Sequence, residues 1–336
     1  MSLPPLDPLA LARDLVAIES TSGSEAAVVA FAERLLAERG WRTTRIPVTP
    51  GRDDLLATAG DGPYATLSTH LDTVPPFIPP RVEGDRLYGR GSCDAKGIAA
   101  AMICAAERLR ARGASVAVLL VVGEETKHDG ATAANAWALA SGFRSRALVN
   151  GEPTESTLAL GTKGALRCVV RTTGRAAHSA YPHLGRSATM DLVRLLAELD
   201  TLALPSDPVL GETTVNVGAL AGGVADNVVA PWAEARLMAR IVRPAEELKA
   251  QLADWVGARA TLAWGEEVPP VHMGTVPGYA TAVMAYATDV PVLSAWGVPH
   301  LYGPGTIHVA HTDDEHVAVA ELHAAVDAYE RLVLAI

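Results

Sequence analysis

Two rhythms of apolar and polar residues divide the chain. In the first stretch, Asp7 followed by Pro8 predicts a helix start, since a carboxylate can cap free N–H groups and proline is tolerated at the first helical position. Leu11, Leu15 and Ile18 then recur at helical spacing. A second helix is expected from near Ser24, with Val28, Phe31 and Leu35 on one face and a stop at Gly40. Residues 53–60 and 64–70 read as strands, and the proline-rich run 74–80 can be neither element. Residues 96–112, rich in Ala, Ile and Met and closed by Gly113, predict a helix. Residues 115–122 are continuously apolar, as in a strand buried on both faces of a parallel sheet. A helix over about 130–140 and a strand over 146–150 follow. This alternation predicts an α/β domain.

The rhythm changes after Lys163-Gly164. Residues 165–172 alternate like a half-exposed strand, and 186–199 read as a helix. Strands are expected at about 213–220 and 229–242, a helix at 244–256 and a short strand at 258–264. That β-α-β-β-α-β order is the split βαβ arrangement. The chain is therefore expected to fold as a mostly parallel-sheet α/β domain from 1–164 and 266–336, with helices on both faces. A ferredoxin-like α+β domain, 165–265, would be inserted in it. On return, the first domain should carry a helix near 278–288, a strand near 291–295 and a closing helix over about 315–335. No internal repeat is apparent.

Composition narrows the class of function. The 336 residues are 49% hydrophobic and 20% charged, enough for a sizeable core. A net charge of −10 argues against a nucleic-acid or anionic-membrane surface. The three cysteines, Cys93, Cys104 and Cys168, form no close pair, as expected of reduced thiols in a cytoplasmic protein. Met1-Ser2-Leu3-Pro4-Pro5 carries no basic leader region, and no run approaches the ~18 apolar residues of a membrane span.

Acids and histidines gather where the apolar runs end. His70 and Asp72 follow one strand, Glu124 and Glu125 another, and Glu152 a third. Asp94 lies in the glycine-flanked loop Gly89-Arg90-Gly91-Ser92-Cys93-Asp94, and His308 and His311 close a late segment. Imidazole and carboxylate without thiolate suit Zn or Co, and Mn less well. Two histidines and three carboxylates exceed the needs of one tetrahedral ion with an open position, and suit two divalent ions sharing a carboxylate. In the pair Glu124-Glu125, successive side chains of an extended segment point opposite ways. One can thus ligate while its neighbour faces substrate as a general base. Each of these residues has a plainer reading, as a structural histidine or a solvated acidic loop; their conjunction in one domain outweighs it.

The motifs Thr69-His70-Leu71-Asp72-Thr73-Val74-Pro75, Gly89-Arg90-Gly91-Ser92-Cys93-Asp94-Ala95-Lys96-Gly97, Gly123-Glu124-Glu125, Gly151-Glu152-Pro153-Thr154 and Ala310-His311-Thr312-Asp313-Asp314-Glu315 resemble, in order, those of the dinuclear zinc amidohydrolases. That family includes acetylornithine deacetylase, succinyl-diaminopimelate desuccinylase and glutamate carboxypeptidases. The resemblance implies that Asp94 bridges two ions, that His70 and Glu152 complete one site, and that Glu125 and His311 complete the other. It makes Asp72 the partner that orients His70 and Glu124 the base, and it selects His311 over His308 as ligand. In the inserted domain, Gly174-Arg175-Ala176-Ala177-His178-Ser179 resembles the segment whose histidine reaches across a homodimer to stabilise an oxyanion, and Asn216, Asn227 and Arg240 resemble substrate-binding positions. Arg240 could clamp a carboxylate or sit in a salt bridge; Met238 stands where many relatives carry an acid. Gly305, in Gly303-Pro304-Gly305-Thr306, could offer its N–H to a carboxylate or simply turn the chain. Cys93, beside Asp94, is expected to be a small buried thiol.

The implied activity is removal of an acyl group, acetyl foremost, from an N-acyl amino acid, as an acetylornithine deacetylase does in arginine biosynthesis. Desuccinylase and dipeptidase or carboxypeptidase activities are the alternatives, and a catalytically silent binding relative is a further one. A nucleotide loop is excluded, because Ala95 and Gly97 flank Lys96 where glycine and Ser/Thr are required.

Overall fold

The computed structural model describes residues 4–336; Met1, Ser2 and Leu3 of the segment read for a leader lie outside the described residues. The chain forms two compact units. One takes the residues up to Leu160 together with Met273–Ala282 and Thr288–Ile336, and the other takes Gly161–His272 and Val283–Ala287.

The first unit is built on a six-stranded sheet in the order Arg42–Thr49, Arg52–Ala59, Val116–Val121, Tyr64–His70, Ser145–Asn150, Val298–Leu301. The last four strands run parallel, and Arg42–Thr49 and Arg52–Ala59 form an antiparallel hairpin at one edge. The fully buried strand Val116–Val121 explains its unbroken apolar run. Val116, Val118 and Leu120 pack with the helices Pro8–Val16, Ala26–Glu38, Lys96–Ala111 and Val319–Ala335. Ala117, Leu119 and Val121 face Ala131, Ala134 and Ala138 of the helix Asp129–Ser141. Period-two alternation thus feeds two cores at once, one on each face. As expected, Asp7 caps the first helix by accepting a hydrogen bond from the Ala10 N–H at 2.8 Å.

The second unit has a four-stranded antiparallel sheet in the order Thr214–Gly222, Trp232–Ile241, Gly164–Thr173, Thr261–Val268. The helices Ala188–Leu196 and Ala245–Val256 cover one face, where Ala233, Ala235, Leu237, Ala239 and Ile241 meet Leu192, Leu195, Leu248 and Leu252. The succession of elements is β-α-β-β-α-β, and the spatial order is that of a ferredoxin-like unit.

Several local expectations need correction. Thr281–Met284 is a strand where a helix was expected at 278–288. Residues 291–295 are not a strand: a 3-10 turn spans Ser294–Trp296, and the strand comes later, at Val298–Leu301, beside Ser145–Asn150. Val290, Val292 and Leu293 look strand-like, but they fill cores from irregular backbone. The closing helix starts at Val319, because His316–Ala318 first pairs with Arg86–Tyr88. The strand Arg42–Thr49 was not foreseen. As an edge strand it buries only Ile46, and it tolerates Pro47.

Candidate metal centre

Parallel strands leave their carboxyl ends on one edge of a sheet, and loops emerging there gather side chains that rigid strands hold in place. His70 is the last residue of Tyr64–His70, Glu124 and Glu125 follow Val116–Val121, and Glu152 follows Ser145–Asn150. His311 lies in the turns beyond Val298–Leu301, with a left-handed backbone (φ 65°). Asp94 comes from the loop before Lys96–Ala111.

The donors fall into two triads. Ligating atoms of His70, Asp94 and Glu152 lie within 4.8 Å of one another, and so do those of Asp94, Glu125 and His311. His70 Nε2 is 3.0 Å from Asp94 Oδ1. His311 Nε2 is 3.4 Å from Asp94 Oδ2 and 2.9 Å from Glu125 Oε1. Asp94 therefore presents one oxygen to each triad. Burial fits this set to cations: Glu152 is only 4% exposed, and its Oε1 has no hydrogen-bond partner among the described residues. A buried carboxylate without a donor is costly unless an ion satisfies it. His308 is exposed and belongs to neither triad.

Asp72 ties the two triads together. His70 Nδ1 lies 3.5 Å from Asp72 Oδ1 and 3.0 Å from its backbone oxygen, which leaves Nε2 turned toward Asp94. The Asp72 carboxylate also accepts from the backbone N–H groups of Glu124 and Glu125, at 3.1 and 3.2 Å, and from the Ser22 hydroxyl at 2.7 Å. The Glu152 loop is held by Gly151, whose N–H donates to Ser68 O at 2.8 Å and whose carbonyl accepts from the Thr69 hydroxyl at 2.8 Å.

Glu315 fixes the Asp94 loop, a role not read from the sequence. Its Oε1 accepts from the N–H groups of Gly91, Cys93 and Asp94 at 2.9, 3.1 and 3.1 Å, and its Oε2 accepts from Arg90 Nη1 at 2.6 Å. Both side chains of this ion pair are almost fully buried. The glycine-flanked loop was the available signal, since a turn that leaves several N–H groups free needs an acceptor. Cys93 is buried, and its thiol donates to Thr306 O at 3.5 Å. Gly305 has φ 79°, and a Cβ there would stand 2.5 Å from the Cys93 sulfur, so the position demands glycine.

Glu124 belongs to neither triad of shared ligands, and burial, aided by the charges of Asp289 and Asp94 against those of His70 and His128, pushes its carboxyl up to about 8. A carboxylate of that basicity can take a proton from water near neutral pH and hand it on. In Asp94 burial is outweighed by His311 and His70, which hold its carboxyl well below the usual carboxylate range.

The other four candidates lie in the second unit. His178 is exposed, and its Nδ1 accepts from the Ala180 N–H at 3.1 Å, which leaves the proton on Nε2 as an outward donor. An isolated bridge pairs His178 with Val228, and the Ser179 N–H donates to Asn227 O at 2.9 Å, so His178 and Asn227 share one loop pair. Asn216 pairs with Met238, and Arg240 with Thr214, across two strands. Directly paired residues and residues two apart share a face. Asn216, Met238 and Arg240 therefore stand on the face away from the helices. The half-buried Arg240 has no acid within ion-pair reach among the described residues, and burial together with the charge of Arg167 lowers its pKa.

A family model described as Peptidase family M20/M25/M40 matches residues 66–335. A protein of Aspergillus fumigatus named probable carboxypeptidase is 38% identical over 379 residues, covering 97% of this chain and 86% of that protein. A tripeptidase structure from Staphylococcus aureus superposes with a TM-score of 0.82 at 19% identity, covering 100% of this chain and 99% of that one. An M20 family metallo-carboxypeptidase from Sulfolobus solfataricus does so with a TM-score of 0.73 at 16% identity, covering 98% and 99%. At such identities the two structures speak for the fold.

Proposed function

The chain belongs to peptidase family M20/M25/M40, and from that premise we propose that it hydrolyses a linear amide whose nitrogen belongs to an amino acid with a free carboxylate. A carboxypeptidase or dipeptidase releases such an amino acid from a peptide, and a deacylase releases it from an acyl group. The observation that carries this reading is the pair of triads sharing Asp94, with Glu124 beside them. Their ligands are His70, Asp94, Glu125, Glu152 and His311, and two divalent ions, Zn or Co, suit the donor set.

Bound there, such ions polarise a carbonyl oxygen and acidify water. Asp72 holds His70 and the Glu124-Glu125 backbone in place. Glu124 takes a proton from the attacking water and delivers it to the departing amine nitrogen, so a neutral amine leaves. His178 donates its Nε2–H to the developing oxyanion, a contribution worth ~3 kcal/mol, in the partner subunit's site of a homodimer. Asn216, Asn227 and the Gly305 backbone contact the substrate. Arg240, which has no acid partner among the described residues, clamps its carboxylate. The unit over 165–265 serves as lid and dimerisation element, and the protein works in the cytoplasm.

Carboxypeptidase-type cleavage is supported by the relatives' names, and removal of acetyl from an N-acetyl amino acid is the rival within the same chemistry. The test is a panel of dipeptides and tripeptides, with N-acetyl and N-succinyl amino acids including acetylornithine, assayed for free amine with Zn or Co loaded. Release of the carboxyl-terminal residue from peptides supports the first form, and release from acetyl substrates alone supports the second. Hydrolysis of amides that lack the free carboxylate as fast as of those that carry it would overturn the proposal. No hydrolysis of any member would favour a binding protein.

A further inference from the structure

Gly123 turns the chain so that Glu124, His128 and Asp289 converge beside the two triads, yet the triads use none of them as ligands. His128 precedes the helix Asp129–Ser141 with a left-handed backbone (φ 52°), a conformation that histidine, like asparagine and aspartate, adopts more readily than other non-glycine residues. Its Nδ1 lies 2.8 Å from Asp289 Oδ1 and 3.8 Å from Glu124 Oε1, and one donor atom from each residue lies within 4.8 Å of the others. Donors around a tetrahedral ion with bonds of about 2.0–2.1 Å stand roughly 3.3–3.4 Å apart, and the observed separations straddle that spacing.

The support beneath these three is rigid. The His128 N–H donates to Gly123 O at 2.9 Å, and the Asp289 carbonyl accepts from the N–H groups of Val292 and Leu293 at 3.0 and 3.2 Å. Asn135, on the helix after His128, accepts from the Ala295 N–H at 2.8 Å and so joins the two segments. The surroundings are rich in acid. Asp54 is buried and its Oδ2 has no hydrogen-bond partner among the described residues, and burial, with Asp289 and Asp129 adding, pushes its carboxyl well up. Arg52, the cation nearby, is already engaged by Glu25 and Asp129 at 2.8 and 2.6 Å.

We propose that Glu124, His128 and Asp289 form a third, weaker divalent-cation site whose occupancy takes Glu124 out of use. One imidazole and two carboxylates suit Zn or Co better than Mg. Binding of an ion to one of its oxygens draws charge from the Glu124 carboxylate and lowers its basicity toward water, so the protein is inhibited by an excess of the ions that activate it. The inhibitory consequence rests on Glu124 being the base; the site itself does not.

Equilibrium dialysis of the full chain against rising Zn²⁺, with ions counted per chain, tests the site without reference to activity. Two tight ions and a third, weaker one are expected. His128→Asn keeps a donor to Asp289 at the Nδ1 position but removes the imidazole ligand, and Asp289→Asn removes the carboxylate. Each should retain the two tight ions and weaken the third by more than about tenfold. In assays on an active substrate, the Zn²⁺ concentration that halves the rate should rise by a similar factor in both variants. Absence of a third ion in the wild type overturns the proposal, and so does a third ion bound with unchanged affinity in either variant. Lack of hydrolysis on every substrate would sink the proposed function and leave the dialysis result to decide this site.

Discussion

The candidate metal centre of the first unit and the second unit hold in opposite ways the residues proposed to act. In the candidate centre the donors are braced by further protein groups: His70 by Asp72 two positions on, the Glu124-Glu125 backbone by the same Asp72 some fifty positions away, and the Asp94 loop by Glu315. In the second unit, Arg240 on the open sheet face has no acid partner among the described residues, and His178 in its loop is exposed with one nitrogen turned outward. The difference teaches where precision is needed. Ions and a proton-transferring carboxylate tolerate little displacement, whereas residues that meet a substrate gain from being left without partners until it arrives.

The contrast can be broken most severely at the base. Glu124→Gln is expected to keep two ions, by elemental analysis, while turnover falls by about 10²–10⁴-fold. A variant near the wild-type rate would remove Glu124 from its role. Next in size is Glu315→Gln, which leaves the Arg90 guanidinium buried without its carboxylate. Denaturant unfolding should show a loss of roughly 3–5 kcal/mol, and a loss below 1 kcal/mol would mean that the Asp94 loop holds itself. Asp72→Asn should weaken ion binding by about 10–100-fold, read by competition with a chelator; an unchanged affinity would show that His70 needs no second partner. The smallest effect belongs to the loose region. Arg240→Ala should raise KM by about tenfold without changing the number of bound ions or the stability, and an unfolding midpoint that drops instead would make Arg240 a structural residue.

Legibility in the sequence followed the same division. His70, Asp94, Glu125, Glu152 and His311 come together in the structure; acids and histidines near the ends of apolar runs mark the region locally, but only the resemblance to one family singles out Glu125 over Glu124 and His311 over His308. Glu315 lies within the motif Ala310-His311-Thr312-Asp313-Asp314-Glu315, yet nothing in the motif marks its task. Its partners are the N–H groups of Gly91, Cys93 and Asp94, more than two hundred positions away, and hydrogen bonds to backbone leave no pattern in side-chain identity. The region 278–295 misled for another reason. Its Val and Leu residues fill cores from turns and short segments, and periodicity carries no information where the backbone is irregular. Arg42–Thr49 escaped notice because an edge strand with one buried side chain has almost no alternation to detect.

Asp72 has a thermodynamic corollary. A single carboxylate holds a ligand of one triad through His70 and the backbone of a ligand of the other through Glu125. If His70 moves on loading, the shared Asp72 contact links that movement to Glu125, and the two binding steps are expected to share a coupling free energy. Loading by successive equivalents should therefore be cooperative, and Asp72→Asn should make the two steps more nearly separate.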